Sequence, residues 1–178
     1  MEWPGVGGVV MISKEFLGGC TAEVVPVIGE TYYKTLNWAI KRCKNTIDLT
    51  IFTTSINTGN SYHKIHKLLL NIGHKIKKEK ITARAVVFRG SKNNKIGRKN
   101  ERFAAEAEKN KIKVRLCSAG TFLHSKVIII DQRYILLGSH NFSSSSMSKH
   151  HEVSILVESA KLAGVYQNYF DDIWNKAQ

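Results

Sequence analysis

Apolar positions along the chain alternate between two spacings, and the switches between them mark out the elements. Residues 22–28 (AEVVPVI) form a short apolar run and predict a strand. Residues 30–43 then predict a helix, with Tyr33, Leu36, Trp38 and Ile40 on its apolar positions. Ile47, Leu49 and Ile51 return to a period of two, so 46–53 reads as a second strand. A longer stripe of Tyr62, Ile65, Leu68, Leu69, Ile72 and Ile76 predicts a helix over 61–78. Strand 82–88 (TARAVVF) follows, then a Gly-, Asn- and Ser-containing basic loop over 89–97 (RGSKNNKIG). The pattern closes with helix 98–110, strand 112–117, strands 124–131 and 134–139 around a tight connection at Gln132 and Arg133, strand 151–158 and helix 160–175. This succession predicts an α/β domain: one mixed sheet with helices covering it. The Gly-rich residues 1–20 are left unplaced, so the predicted domain is 21–178.

Composition narrows the class. A chain of 178 residues with 43% apolar side chains suits one domain with a full core. No apolar run is long enough for a membrane-spanning helix, so no stable membrane insertion is expected. The first residues lack a basic segment, and Gly5, Gly7 and Gly8 break the apolar stretch. The sequence as it stands therefore predicts a cytoplasmic protein, with export of a longer precursor left open. Cys20, Cys43 and Cys117 are widely spaced and form no C-x-x-C pair, which predicts reduced thiols.

Charge changes the picture more. Twenty-seven Lys and Arg stand against 14 Asp and Glu, a net +13. Residues 1–63 and 116–178 are each balanced, five basic against five acidic. Residues 64–115 hold seventeen basic and four acidic side chains, so the whole excess lies there. Its densest parts are Lys75, Lys77, Lys78 and Lys80, then Lys92, Lys95, Arg98, Lys99 and Arg102. Such clustering predicts a polyanionic partner, with Lys92, Lys95, Arg98, Lys99 and Arg102 as candidate contacts to a nucleic-acid backbone. An anionic membrane surface is the competing partner, but the stripe on helix 61–78 carries no Trp or Phe anchor.

The candidate chemistry lies in residues 124–141, HSKVIIIDQRYILLGSHN. His124, Lys126, Asp131, Gly138, Ser139 and Asn141 fit H-x-K-x4-D-x6-G-S-x-N without a gap, and Glu152 lies eleven residues further on. On a strand over 124–131, His124 and Lys126 project to the same side, a nucleophile beside a phosphate-binding cation. Val127 to Ile130 are apolar on both faces, which predicts a buried strand. Asp131 has the opposite parity, which favours a structural anchor over a catalyst. Ser139 and Asn141 share a face and suit the gripping of phosphate oxygens. Glu152 is placed to hold a ring nitrogen of His124 and fix its tautomer. Two metal readings are weaker. His150 and His151, next to Glu152, point to opposite faces of a strand, and His63 and His66 have no carboxylate nearby in sequence.

The six-position pattern resembles the signature of the phospholipase D superfamily, in which a carboxylate beyond the motif supports the histidine. The resemblance implies a phospholipase D-like mixed sheet flanked by helices on both faces, one domain per chain. The chain carries one copy of the motif, so it looks like the small single-motif nucleases that pair two chains in a homodimer. The implied chemistry is metal-independent and needs no cofactor: one His124 forms a covalent phosphohistidine while the second chain's His124 serves as acid and base. Three functions follow. They are a nuclease of broad sequence specificity acting on DNA or RNA, a lipid phosphodiesterase acting for instance on cardiolipin, and a catalytically idle nucleic-acid-binding module.

Overall fold

The computed structural model describes residues 22–55, 62–90, 95–117 and 122–178. The Gly-rich start, including 6–12, and the basic side chain Lys92 lie outside the described residues, as does the side chain of His63.

Among the described residues, nine strands and four helices follow one another. They are β1 (Glu23–Ile28), α1 (Thr31–Arg42), β2 (Thr46–Ile51), β3 (Thr54–Ser55), α2 (Tyr62–Glu79), β4 (Thr82–Val87) and α3 (Lys95–Lys109). The second half holds β5 (Lys113–Leu116), β6 (Val127–Ile130), β7 (Tyr134–Gly138), β8 (Phe142–Ser143), β9 (Val153–Glu158) and α4 (Ala160–Lys176). Seven strands form one sheet in the order β1-β9-β7-β6-β2-β4-β5. β2, β4 and β5 run parallel, and every other neighbouring pair is antiparallel.

The sheet separates two apolar layers, and strand parity assigns each side chain to one of them. Ile47, Leu49 and Ile51 of β2 and Ile128 and Ile130 of β6 pack with Leu36, Ile40, Ile65, Leu68, Leu69, Ile72 and Phe103 of α1–α3. Val127 and Ile129 point to the other side and pack with Ala163 and Phe170 of α4. Helices thus cover both faces, as the apolar β6 requires. On the α4 face, buried Asp48 of β2 accepts two hydrogen bonds from Arg84 of β4 and one from Gln167. Asp171 takes a further bond from Arg84, so the four side chains form one polar network there.

The expected elements are all present, but several boundaries move. Helix α3 starts at Lys95, taking in three residues expected as loop. Strand β2 stops at Ile51. The following residues turn so that Thr54 and Ser55 pair with Phe142 and Ser143, a two-stranded ribbon the apolar pattern does not signal. Strand β6 starts at Val127, not at 124, so His124 and Lys126 precede it in an extended segment. Thr50 explains the position of that boundary: its Oγ1 accepts from the Val127 amide at 3.0 Å, just where the β2–β6 pairing ends.

At the other end of the β6–β7 hairpin, Asp131 and Gln132 take φ of +54° and +49°. Asp131 turns back and accepts from the amides of Lys44, Asn45 and Thr46 at 2.7, 2.7 and 2.9 Å, and from the Cys43 thiol at 3.4 Å. Partial burial works to raise its pKa, but these donors outweigh it and hold the carboxyl below its ordinary range. Asp131 thereby ties the hairpin to the α1–β2 junction.

Candidate active site

His124, Ser125, Lys126 and Val127 line one side of an open cleft of about 450 Å³. Leu137, Gly138, Ser139, Asn141 and Tyr166 line the other. Strands β6 and β7 are adjacent, so the residues just before β6 and just after β7 meet at one end of the sheet. Four of the residues singled out in the sequence, His124, Lys126, Ser139 and Asn141, therefore share one cleft. Asp131 lies at the opposite end of β6.

Lys126 Nζ donates to the His124 carbonyl at 2.7 Å and lies 3.2 Å from His124 Nε2. An ammonium can only donate, so a hydrogen bond across this contact forms with the tautomer whose Nε2 is unprotonated. That tautomer presents a lone pair at Nε2 with a cation beside it. Partial burial lowers the Lys126 pKa, an effect opposed by the charge of Glu152. Lys126 Nζ also sits 4.8 Å over the ring of Phe52. The edge of Phe52 packs against His124 at 4.5 Å between ring centroids, and Phe122 stacks beside the imidazole at 5.6 Å.

Glu152 does not reach His124. Its oxygens accept from the hydroxyls of Ser139 and Ser146, the latter at 2.7 Å, and His150 Nδ1 lies 3.8 Å away. The carboxylate–imidazole bond expected between Glu152 and His124 is thus replaced by bonds to two serines. The cause is topological: β9 pairs with β7 and not with β6, so a residue just before β9 meets Ser139. Burial raises the pKa of Glu152, but the two hydroxyls and the charges of His140 and His150 prevail and the net shift is downward. Ser139, expected to grip phosphate, has its hydroxyl engaged: it donates to Glu152 and accepts from the Val153 amide at 3.1 Å.

Two glycine-motif positions have structural explanations. A Cβ on Gly138 would lie 2.3 Å from Ser154 Oγ and 2.4 Å from the Val153 carbonyl, so only glycine lets β7 approach β9 here. Asn141 has its amide held by Ser146 Oγ at 2.9 Å, while its side-chain Oδ1 is buried with no hydrogen-bond partner. Ser125 Oγ, also lining the cleft, is in the same condition.

Sequence reasoning missed three positioning residues. His140 occupies the unspecified place in G-S-x-N and is 1% exposed. Its Nδ1 lies 2.7 Å from Ser154 Oγ, its Nε2 lies 3.2 Å from the Gly29 carbonyl, and its ring stacks on Tyr32 at 4.2 Å. Burial lowers its pKa, against the opposing pull of the Gly29 carbonyl and Glu152. Its parity, opposite to that of Ser139 and Asn141, is the signal that could have found it. Ser146, in the four-serine run, holds both Glu152 and Asn141. Asn100, fully buried in α3, donates to the carbonyls of Phe52 and Phe88 at 2.8 Å each and accepts from the Thr54 amide at 3.0 Å.

Asn100 decides where the basic residues go. It fastens the start of α3 to the ends of β2 and β4 at Phe52 and Phe88, and Lys95, Arg98, Lys99 and Arg102 ride on that segment. The Lys75–Lys80 cluster is elsewhere. Helix α2 ends where β4 begins, and Thr82 pairs with Thr46 at the far end of β2 from Phe52. Six strand residues separate the two ends, roughly 20 Å. Among the described residues, no group of three or more His, Cys, Asp or Glu side chains is placed to hold a metal ion.

Comparison with known proteins agrees with this geometry. Residues 36–174 match the family described as cardiolipin synthase, PLD-like domain. A phospholipase D of Rickettsia prowazekii is 41% identical over 66 residues, which is 36% of this chain and 32% of that protein. The matched stretch is thus about a third of the relative's length. The phospholipase D family member Nuc from Salmonella typhimurium superposes with a TM-score of 0.72 at 20% identity, covering 89% of this chain and 97% of that one. NucT from Helicobacter pylori gives 0.67 at 15% identity, covering 88% and 98%. With the motif, the sheet order and a family match over most of its length in agreement, the chain belongs to the PLD-like domain family of the phospholipase D superfamily.

Proposed function

We propose that this chain is a metal-independent phosphodiesterase that cleaves nucleic acid through a phosphohistidine, as a homodimer with a shared site. The observation that carries the reading is the Lys126–His124 pair at the mouth of an open cleft. It sets His124 Nε2 beside a cation that can move onto a phosphate oxygen.

In the first step the Nε2 lone pair of His124 attacks phosphorus and the bond from phosphorus to the leaving oxygen breaks. The leaving oxygen takes a proton from a second imidazolium. In the second step that imidazole removes a proton from water, the hydroxide attacks phosphorus, and the phosphorus–nitrogen bond breaks to return His124. Lys126 neutralises charge on the oxygens in both steps, Asn141 donates to them from its side-chain Nδ2, and Glu152 acts as a positioning residue through Ser139 and its charge on Lys126. One chain supplies one such histidine, so the scheme takes the second from a second copy. Val24, Ile28, Val153 and Ile155, exposed on one face of β1 and β9, offer apolar surface for that contact.

The basic start of α3 beside the cleft supports nucleic acid as substrate. The lipid reading is favoured by the family's description and by the exposed Phe122. No helix among the described residues is long and apolar enough to cross a membrane, so a lipid would have to be met at a surface. The test is cleavage of labelled single- and double-stranded DNA and RNA in excess EDTA, with His124→Ala alongside. Cleavage by the wild type only supports the proposal. Cleavage of no polymer, with hydrolysis of cardiolipin vesicles, would replace it by the lipid reading.

A further inference from the structure

Three phenylalanines cluster beside the His124–Lys126 pair. Phe52 follows β2, Phe88 follows β4 and Phe122 precedes His124, and their rings contact one another at 5.0 to 5.5 Å between centroids. Their surroundings differ. Phe52 has Lys126 over its face and His124 against its edge. Phe88 contacts both of the other rings. Phe122 lies within 18° of parallel to the His124 ring and is 66% exposed, the most exposed large apolar side chain among the described residues. Core packing does not account for it, because its body is largely in water.

We infer that Phe122 is a base-stacking platform that selects an unpaired nucleotide at the scissile phosphate. This rests on the nucleic-acid reading of the site and deepens it. A phosphate held at His124 Nε2 by Lys126 carries its nucleoside toward the neighbouring ring, and Phe122 lies parallel to the imidazole for it to stack on. In a duplex both faces of that base are already covered by its neighbours, so the platform is of use only to a single strand or a flipped base. Phe52 and Phe88 support the ring from behind, and Asn100 holds both of their carbonyls together with the basic start of α3. Stacked base and phosphate-binding cations thus lie side by side, the combination by which single strands are bound without sequence preference. The selectivity expected is for strandedness and not for base identity, because every base offers a π face.

The experiment compares a single-stranded 12-mer, the same strand with abasic positions, and its duplex, each cleaved by wild type, Phe122→Ala and Phe122→Trp. Wild type should prefer the intact strand to the abasic one by roughly 5- to 150-fold, the range for one base–aromatic stack. Phe122→Ala should bring that ratio toward one, and Phe122→Trp should keep it. Because the ratio is taken within each variant, damage to His124 by the alanine does not imitate the effect. An unchanged ratio in Phe122→Ala would overturn the platform while leaving the nuclease reading intact. Loss of the dimer on sedimentation, or loss of binding to cardiolipin vesicles with the ratio unchanged, would reassign Phe122 to a subunit contact or a lipid surface. No cleavage of any strand by wild type would instead be the failure of the nucleic-acid reading itself.

Discussion

The two ends of strand β6 carry residues of one motif and treat polar atoms in opposite ways. At the Asp131 end every strong acceptor is used: one carboxylate takes three backbone amides and a thiol. At the His124 end donors are left over: Lys126 Nζ, with three protons, bonds only to the histidine beside it, and the buried Ser125 hydroxyl has no partner among the described residues. A fully satisfied carboxylate stabilises a junction, whereas unmet hydrogen-bonding capacity costs stability and is retained where a ligand can meet it. The motif is therefore two devices joined by four apolar residues, a clamp for the fold and a pocket for an anion.

Substitutions at the two ends should separate these roles. The largest effect is expected for His124→Ala, a loss of cleavage on the order of 1,000-fold or more with the thermal midpoint unchanged, because the side chain is exposed and is the proposed nucleophile. Asp131→Ala should do the reverse, lowering stability by about 2–3 kcal/mol through loss of charge-assisted bonds, read by urea unfolding. The pH dependence follows from the lowered Asp131 pKa. Its contribution is present in full above the ordinary carboxylate range and is lost as pH falls through the lower native value. In Asp131→Asn the acid limb of the stability curve should flatten. If Asp131→Asn instead abolishes cleavage at unchanged stability, the separation into clamp and pocket is wrong.

Smaller effects test the charges. Neutralising Lys95 and Arg102 on α3 should each reduce the salt dependence of nucleic-acid binding by about one unit of slope. The same change at Lys77 and Lys78, at the Asp131 end, should alter the slope less. Equal slopes would mean that the substrate runs over both ends of the sheet. The smallest effect is at His140, whose depressed pKa favours the neutral ring. Its contribution is present above the ordinary histidine value and is lost as pH falls below it, and His140→Gln should remove that limb from the urea midpoint.

Much of this was legible in the sequence, for reasons that differ by residue. Periodicity places the helices of both layers because Ile65, Leu68 and Ile72 must face a core, and the four-residue apolar run of β6 requires cover on both sides. Parity alone separates Asp131 from His124. The reach of Glu152 was not legible, because it depends on β9 lying beside β7, a long-range pairing that local pattern does not encode. The same holds for Asn100, whose two bonds join elements that are 48 and 12 residues apart from it. Charge counting found the basic third of the chain but could not divide it, since α2 and α3 present their lysines at opposite ends of the sheet.

The most direct test of the central claim is to trap the intermediate. An oligonucleotide radiolabelled on the fragment that remains bound to phosphorus is mixed with the protein in excess EDTA and quenched in denaturant within the first turnover. The account predicts a labelled protein band that is stable to alkali, lost in acid, mapped by peptide sequencing to His124, and missing in His124→Ala. Cleavage with no such adduct at any quench time, or an adduct that survives His124→Ala, would contradict it.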